Sequence, residues 1–148
     1  MDRGTAVLLT VVAGGAAALQ PVLNSGAGKG LGTWQSVLLN FVVGALALAV
    51  LVVLVGGGFG SFRRASSLPW YYLAGGGLCG VVIVTTLLLT VRTLGAGPVT
   101  AALITGQLGL ALVIDQFGWL GIDRRPLTLT KVAGIALLVA GTYLVVRE

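Results

Sequence analysis

Five apolar stretches of about twenty residues, parted by short segments that hold nearly all of the charge, constrain this chain more than any other feature. They fall at 5–23, 34–55, 70–91, 98–117 and 129–146 and take up most of the 148 residues. A helix crossing a hydrocarbon core needs about 20 apolar residues, so the chain is best counted in spans rather than in soluble domains. With 57% apolar and 9% charged residues there is too little polar surface to coat a water-soluble globule. Backbone groups in lipid must be satisfied within their own segment, which makes helices the expected local structure throughout. The chain therefore reads as one all-α transmembrane domain over 1–148.

The first stretch follows Arg3 and contains Ala16, Ala17 and Ala18, a pattern that also fits a secretory signal. It continues beyond that cleavage-like position and four more spans follow, which favours a permanent helix. Trp34, Trp70, Tyr71, Tyr72 and Trp119 stand at the ends of the stretches, where amphipathic rings prefer the headgroup level. An odd span count puts the termini on opposite sides. With the N-terminus inside, Arg3, Arg63, Arg64, Arg124, Arg125 and Lys131 are cytoplasmic, and Lys29, Arg92 and Arg147 are not. That bias favours N-in, C-out and is small enough to allow insertion both ways round. The net charge of +5 is scattered over these loops and forms no stripe suited to nucleic acid.

One cysteine, Cys79, and no histidine exclude a disulfide framework and ordinary zinc sites, and no cofactor is called for. No nucleophile–base set or phosphate-cradling loop is present, so enzyme readings fall away. Twenty-four glycines point instead to close helix packing. Gly76 and Gly80 have the small-xxx-small spacing, Ala102 and Gly106 repeat it, and Gly134 and Gly141 lie one heptad apart. These pairs suit packing within a subunit or a seam between two.

Polar groups inside a bilayer are costly unless they find a partner or face water, so the few present are the functional candidates. Gln20 and Asn24, four apart, share a face at the end of the first helix, with Pro21 between them freeing a carbonyl and making that end irregular. Gln35 and Asn40 enter the second helix, Thr85, Thr86 and Thr90 line the third, and Gln107 marks the fourth with Thr100 and Thr105. Asp115 is the one acid within a span. It could carry a proton or attract a cation. It could equally be a paired acid near the surface, since Trp119, Arg124 and Arg125 follow. Each amide is a candidate substrate contact or interhelical glue.

Several of these residues carry a family resemblance. Gln20-Pro21-Val22-Leu23-Asn24, Asn40-Phe41-Val42-Val43-Gly44, Pro69-Trp70 before Gly75-Gly76-Gly77-Leu78, Leu94-Gly95-Ala96, and Gly106-Gln107-Leu108 with Ile114-Asp115-Gln116-Phe117-Gly118 resemble the YdcZ family. These are five-helix members of the drug/metabolite transporter superfamily. The resemblance spans nearly the whole chain and departs at Gln116, where a histidine is expected in many relatives. It implies a multi-pass protein of the bacterial inner membrane, a five-helix bundle equal to half of a ten-helix inverted-repeat transporter. An inverted copy, of itself or of a paired homologue, would complete that pair and put a substrate site near the midplane. The expected function is export of a drug, metabolite or small organic solute by alternating access, as an antiparallel homodimer in membrane lipid. Gln20, Asn24, Gln35, Asn40 and Gln107 would line the cavity, with Asp115 a possible coupling group. Alternatives are a dual-topology ion or solute channel, and a non-transporting subunit of a heterodimer.

Overall fold

The computed structural model describes residues 2–147. Among them are five α-helices and no strand: α1 (Arg3–Leu31), α2 (Thr33–Leu54), α3 (Trp70–Leu94), α4 (Ala96–Phe117) and α5 (Leu129–Arg147). Two 3₁₀ segments, Phe59–Ser67 and Trp119–Gly121, lie in the longer connections. All five α-helices are long and apolar enough to cross a membrane.

The first helix differs from the sequence expectation. It was expected to end in an irregular turn near residue 23, followed by a Gly/Ser/Lys loop, but it runs unbroken through Pro21 to Leu31. At 1.5 Å per residue its 29 residues extend about 43 Å, well beyond a hydrocarbon core of about 30 Å. Proline here removes a single intrahelical bond, and packing makes up for poor helix propensity. The buried residues of α1 are Pro21, Asn24, Ser25 and Gly28, all in the portion expected to unravel. The opposite end is capped by Asp2, whose carboxylate accepts from the Thr5 amide and the Thr5 hydroxyl, both at 2.8 Å. Those hydrogen bonds hold its pKa below the ordinary aspartate value.

One residue, Gly32, joins α1 to α2. Its φ of +95° lies in the region that L side chains rarely adopt, and this permits so tight a hairpin. Gly95, at φ +83°, is the single residue between α3 and α4. The chain divides into two compact units, residues 1–92 and 93–148. In the first, α1 packs on α2, and Val84 and Leu88 of α3 form a small apolar core with Val37 and the half-buried Phe41 of α2. Leu88 is fully enclosed. In the second, α4 and α5 pack as a hairpin, and α5 buries no side chain outright among its described residues. Most apolar side chains of both units are exposed, as befits helices whose solvent is lipid.

Candidate functional site

The polar residues of α1 fall on one stripe because Gln20, Asn24 and Gly28 follow one another at four-residue steps. The hairpin sets α2 against that stripe in antiparallel register. Gln20 Nε2 donates to Asn40 Oδ1 at 3.4 Å, both residues being half-buried. One turn further along α1 and one turn back along α2, Ser36 Oγ donates to the Asn24 carbonyl at 2.9 Å. Ser36 is only 2% exposed. Two of the amides named from sequence are thus brought into contact, and a third lies one turn away on the same face.

Asn24 is 9% exposed, and its side-chain Nδ2 has no hydrogen-bond partner among the described residues. An unsatisfied buried donor costs on the order of 1–3 kcal/mol, so this amide stands out in a helix made mostly of Gly, Ala, Leu and Val. The Thr85 hydroxyl of α3 is also buried and unpartnered. Thr90, by contrast, is satisfied on its own helix, donating to the Thr86 carbonyl at 2.8 Å.

Sequence reasoning passed over one tertiary contact of this region. Arg92, counted only as a loop charge, reaches from the last turn of α3 to α1. Its Nε donates to Ser25 Oγ at 3.1 Å and its Nη2 to the Ser25 carbonyl at 3.3 Å. A Cβ built on Gly28 would lie 2.5 Å from that Nη2, so the guanidinium occupies room that only glycine leaves open. The signal available in the sequence was the Ser25-Gly26-Ala27-Gly28 run of small residues, which reads as a loop when taken alone.

The other named residues are placed differently. Gln35 is exposed, with its Oε1 folded back toward the Gly32 joint. Gln107 belongs to the second unit and is exposed at the middle of α4. Asp115, near the end of the same helix, is paired with Lys131 of α5 at 3.9 Å, each side chain about one-third exposed. This is the paired arrangement weighed against a coupling role. Its neighbour Gln116 organises the following loop: Oε1 accepts from the Leu127 amide at 2.7 Å, and the Gln116 carbonyl accepts from Arg124 Nε at 2.8 Å. Among the five glycines expected in helix packing, Gly80 meets the Phe41 ring, 3.2 Å from a built Cβ. At Gly76, Gly106, Gly134 and Gly141 a Cβ would meet nothing within 4 Å. No group of three or more Cys, Asp or Glu side chains placed to hold a metal occurs among the described residues.

Residues 5–144 match the family model described as "Putative inner membrane exporter, YdcZ". No curated protein and no solved structure matches the chain.

Proposed function

The chain belongs to the YdcZ family of inner-membrane exporters, and from that premise we propose that it exports a small solute by alternating access as an antiparallel dimer. The transport role and the inner membrane come with the family. The polar stripe of α1 carries the rest of the reading. A Gln20–Asn40 hydrogen bond within an apolar hairpin, followed one turn on by a buried amide with a free donor, is a polar path along helices that have no structural need of one. Each such group is expensive in hydrocarbon and is retained where it meets solute or water.

A second, inverted copy answers two further features. The odd span count leaves the termini on opposite faces, so only an inverted partner restores the two-fold relation on which rocking transporters turn. The exposed Gln107 amide, at mid-helix, needs a polar surface or a watered cavity to face. In this reading Gln20, Asn24, Asn40 and Gln107 contact the solute, Gln35 lies at the mouth, and Asp115 stays with Lys131.

The test is solute flux in proteoliposomes, using the solute that most raises the melting temperature of the purified protein in a screen of organic ions and neutral metabolites. Gln20→Ala and Gln107→Ala should each lower flux by about tenfold or more, the equivalent of one or two lost hydrogen bonds. Crosslinking between cysteines introduced at residues 5 and 144 should still report an antiparallel dimer. Undiminished flux in both variants, or a dimer that crosslinks only in parallel, would defeat the reading.

A further inference from the structure

Resting on the exporter reading above, we propose that the first unit recognises an oxyanion, the carboxylate or phosphate of a small organic solute, with Arg92 as its charge partner and the Asn24 amide as a second donor. The charge balance is the first ground. Residues 3–114 contain five basic side chains and no Asp or Glu, so nothing in the first unit beyond Asp2 at its very start can neutralise a cationic solute. The ion pair found among the described residues joins Lys131 to Asp115 in the second unit. Arg92 has no carboxylate partner there.

The second ground is geometry. Arg92 spends Nε and one Nη2 hydrogen on Ser25, which is 7% exposed, and this fixes the plane of the fork. Three of its five N–H groups remain, and the side chain is exposed enough to be reached. A planar guanidinium fixed along one edge presents the other to a carboxylate or phosphate in bidentate fashion, which is why Arg is favoured for these groups. Gly28 is part of the device, because any side chain there would push the guanidinium off its seat.

The third ground is independent of Arg92. Asn24, next to Ser25 in the chain, is nine-tenths buried with its Nδ2 unpaired, while its backbone carbonyl accepts from Ser36. The buried side-chain atom left unpartnered on α1 is thus a donor, which suits an anion. Arg92 could instead serve only to tie α3 to α1. That role uses the two bonds to Ser25 and leaves the remaining donors and the Asn24 amide without purpose.

The experiment uses the full chain in a neutral detergent, with benzoate and phenyl phosphate as oxyanion probes and tetraethylammonium as the cationic control, read by calorimetric titration. Benzoate or phenyl phosphate should bind saturably. Arg92→Gln should weaken binding by about tenfold or more, Arg92→Lys by less, and Asn24→Ala measurably, as expected for hydrogen bonds to a charged group. Gly28→Ala is the second route to the same result, since its Cβ would clash with the flexible tip of Arg92 alone, making ordinary contact with Leu88, and the variant should fold normally. The phosphate of a lipid headgroup offers the same chemistry. Native mass spectrometry with and without phosphatidylglycerol separates the sources: a headgroup occupant is retained by the wild type, lost in Arg92→Gln, and displaced by neither soluble probe. Failure of every oxyanion to bind, or binding unchanged in both Arg92→Gln and Gly28→Ala, overturns the proposal. If tetraethylammonium is transported while oxyanions do nothing, the exporter reading stands and this inference falls. If oxyanions bind through Arg92 yet no solute crosses the membrane, it is the exporter reading that fails.

Discussion

The two units of the chain treat polar groups in opposite ways. In the first, α1 to α3 bring together amides, serines and an arginine with no acid beside them, and two buried polar atoms, Asn24 Nδ2 and Thr85 Oγ1, are left without partners. In the second, no buried polar side-chain atom among the described residues is left without a partner. Asp115 is held by Lys131, Gln116 ties the loop at Leu127 and Arg124, and the Thr105 and Thr142 hydroxyls share a hydrogen bond at 2.6 Å, both within reach of the Ala101 carbonyl. Only Gln107 stands exposed there as a mid-helix amide. The contrast separates two uses of polarity in a membrane. Satisfied groups fasten helices, and unsatisfied ones are the candidates for contact with solute or water.

Substitutions can break or sharpen this contrast. The largest effect on stability is expected at Leu88→Ala, in the core of the first unit. Because lipid is as apolar as leucine, the transfer part of the usual penalty is small, and lost packing should cost about 2 kcal/mol. Leu137→Ala on α5, where the side chain is 75% exposed, should change unfolding in detergent by less than about 0.5 kcal/mol. Equal losses at the two positions would mean that α5 is buried by something other than lipid.

Gln116→Ala comes next. It removes the acceptor of the Leu127 amide, and a loss of about 1 kcal/mol with unchanged solute flux would mark Gln116 as a fastener. A loss of flux without a loss of stability would give Gln116 a part in transport instead. The smallest effect belongs to Thr142→Val, which keeps the shape of the side chain and deletes its interhelical hydrogen bonds. Such bonds average about 0.6 kcal/mol in membrane proteins, and the shift in melting should be correspondingly slight.

What was legible in the sequence follows the same division. Span number and the absence of strands among the described residues depend on local hydropathy and on the need to satisfy the backbone within each segment, so the five apolar stretches reappear as five helices. The polar candidates could be named because lipid makes every one of them conspicuous. Their contacts could not. Both the lipid-facing and the helix-facing sides of these helices are apolar, so hydrophobic periodicity carries almost no information about faces, and glycine spacing does not say which glycine has a neighbour: of Gly76, Gly80, Gly106, Gly134 and Gly141, Gly80 has one within 4 Å of a built Cβ among the described residues. Local propensity also misled at Pro21 and the Ser25–Gly28 run, where it predicted a break.

The amino-acid sequence by itself determined that this is a five-span membrane protein whose first 114 residues hold a single acid, Asp2. Composition and hydropathy are sums over neighbours in the chain, and they survive whatever the helices do next. Only the tertiary structure decided that α1 stays helical to Leu31, that Gln20 meets Asn40, and that Arg92 is seated on Gly28 beside Ser25. Those outcomes join residues as many as 67 positions apart. They depend on which small residues leave room for which large ones, and that complementarity exists only once the helices are side by side.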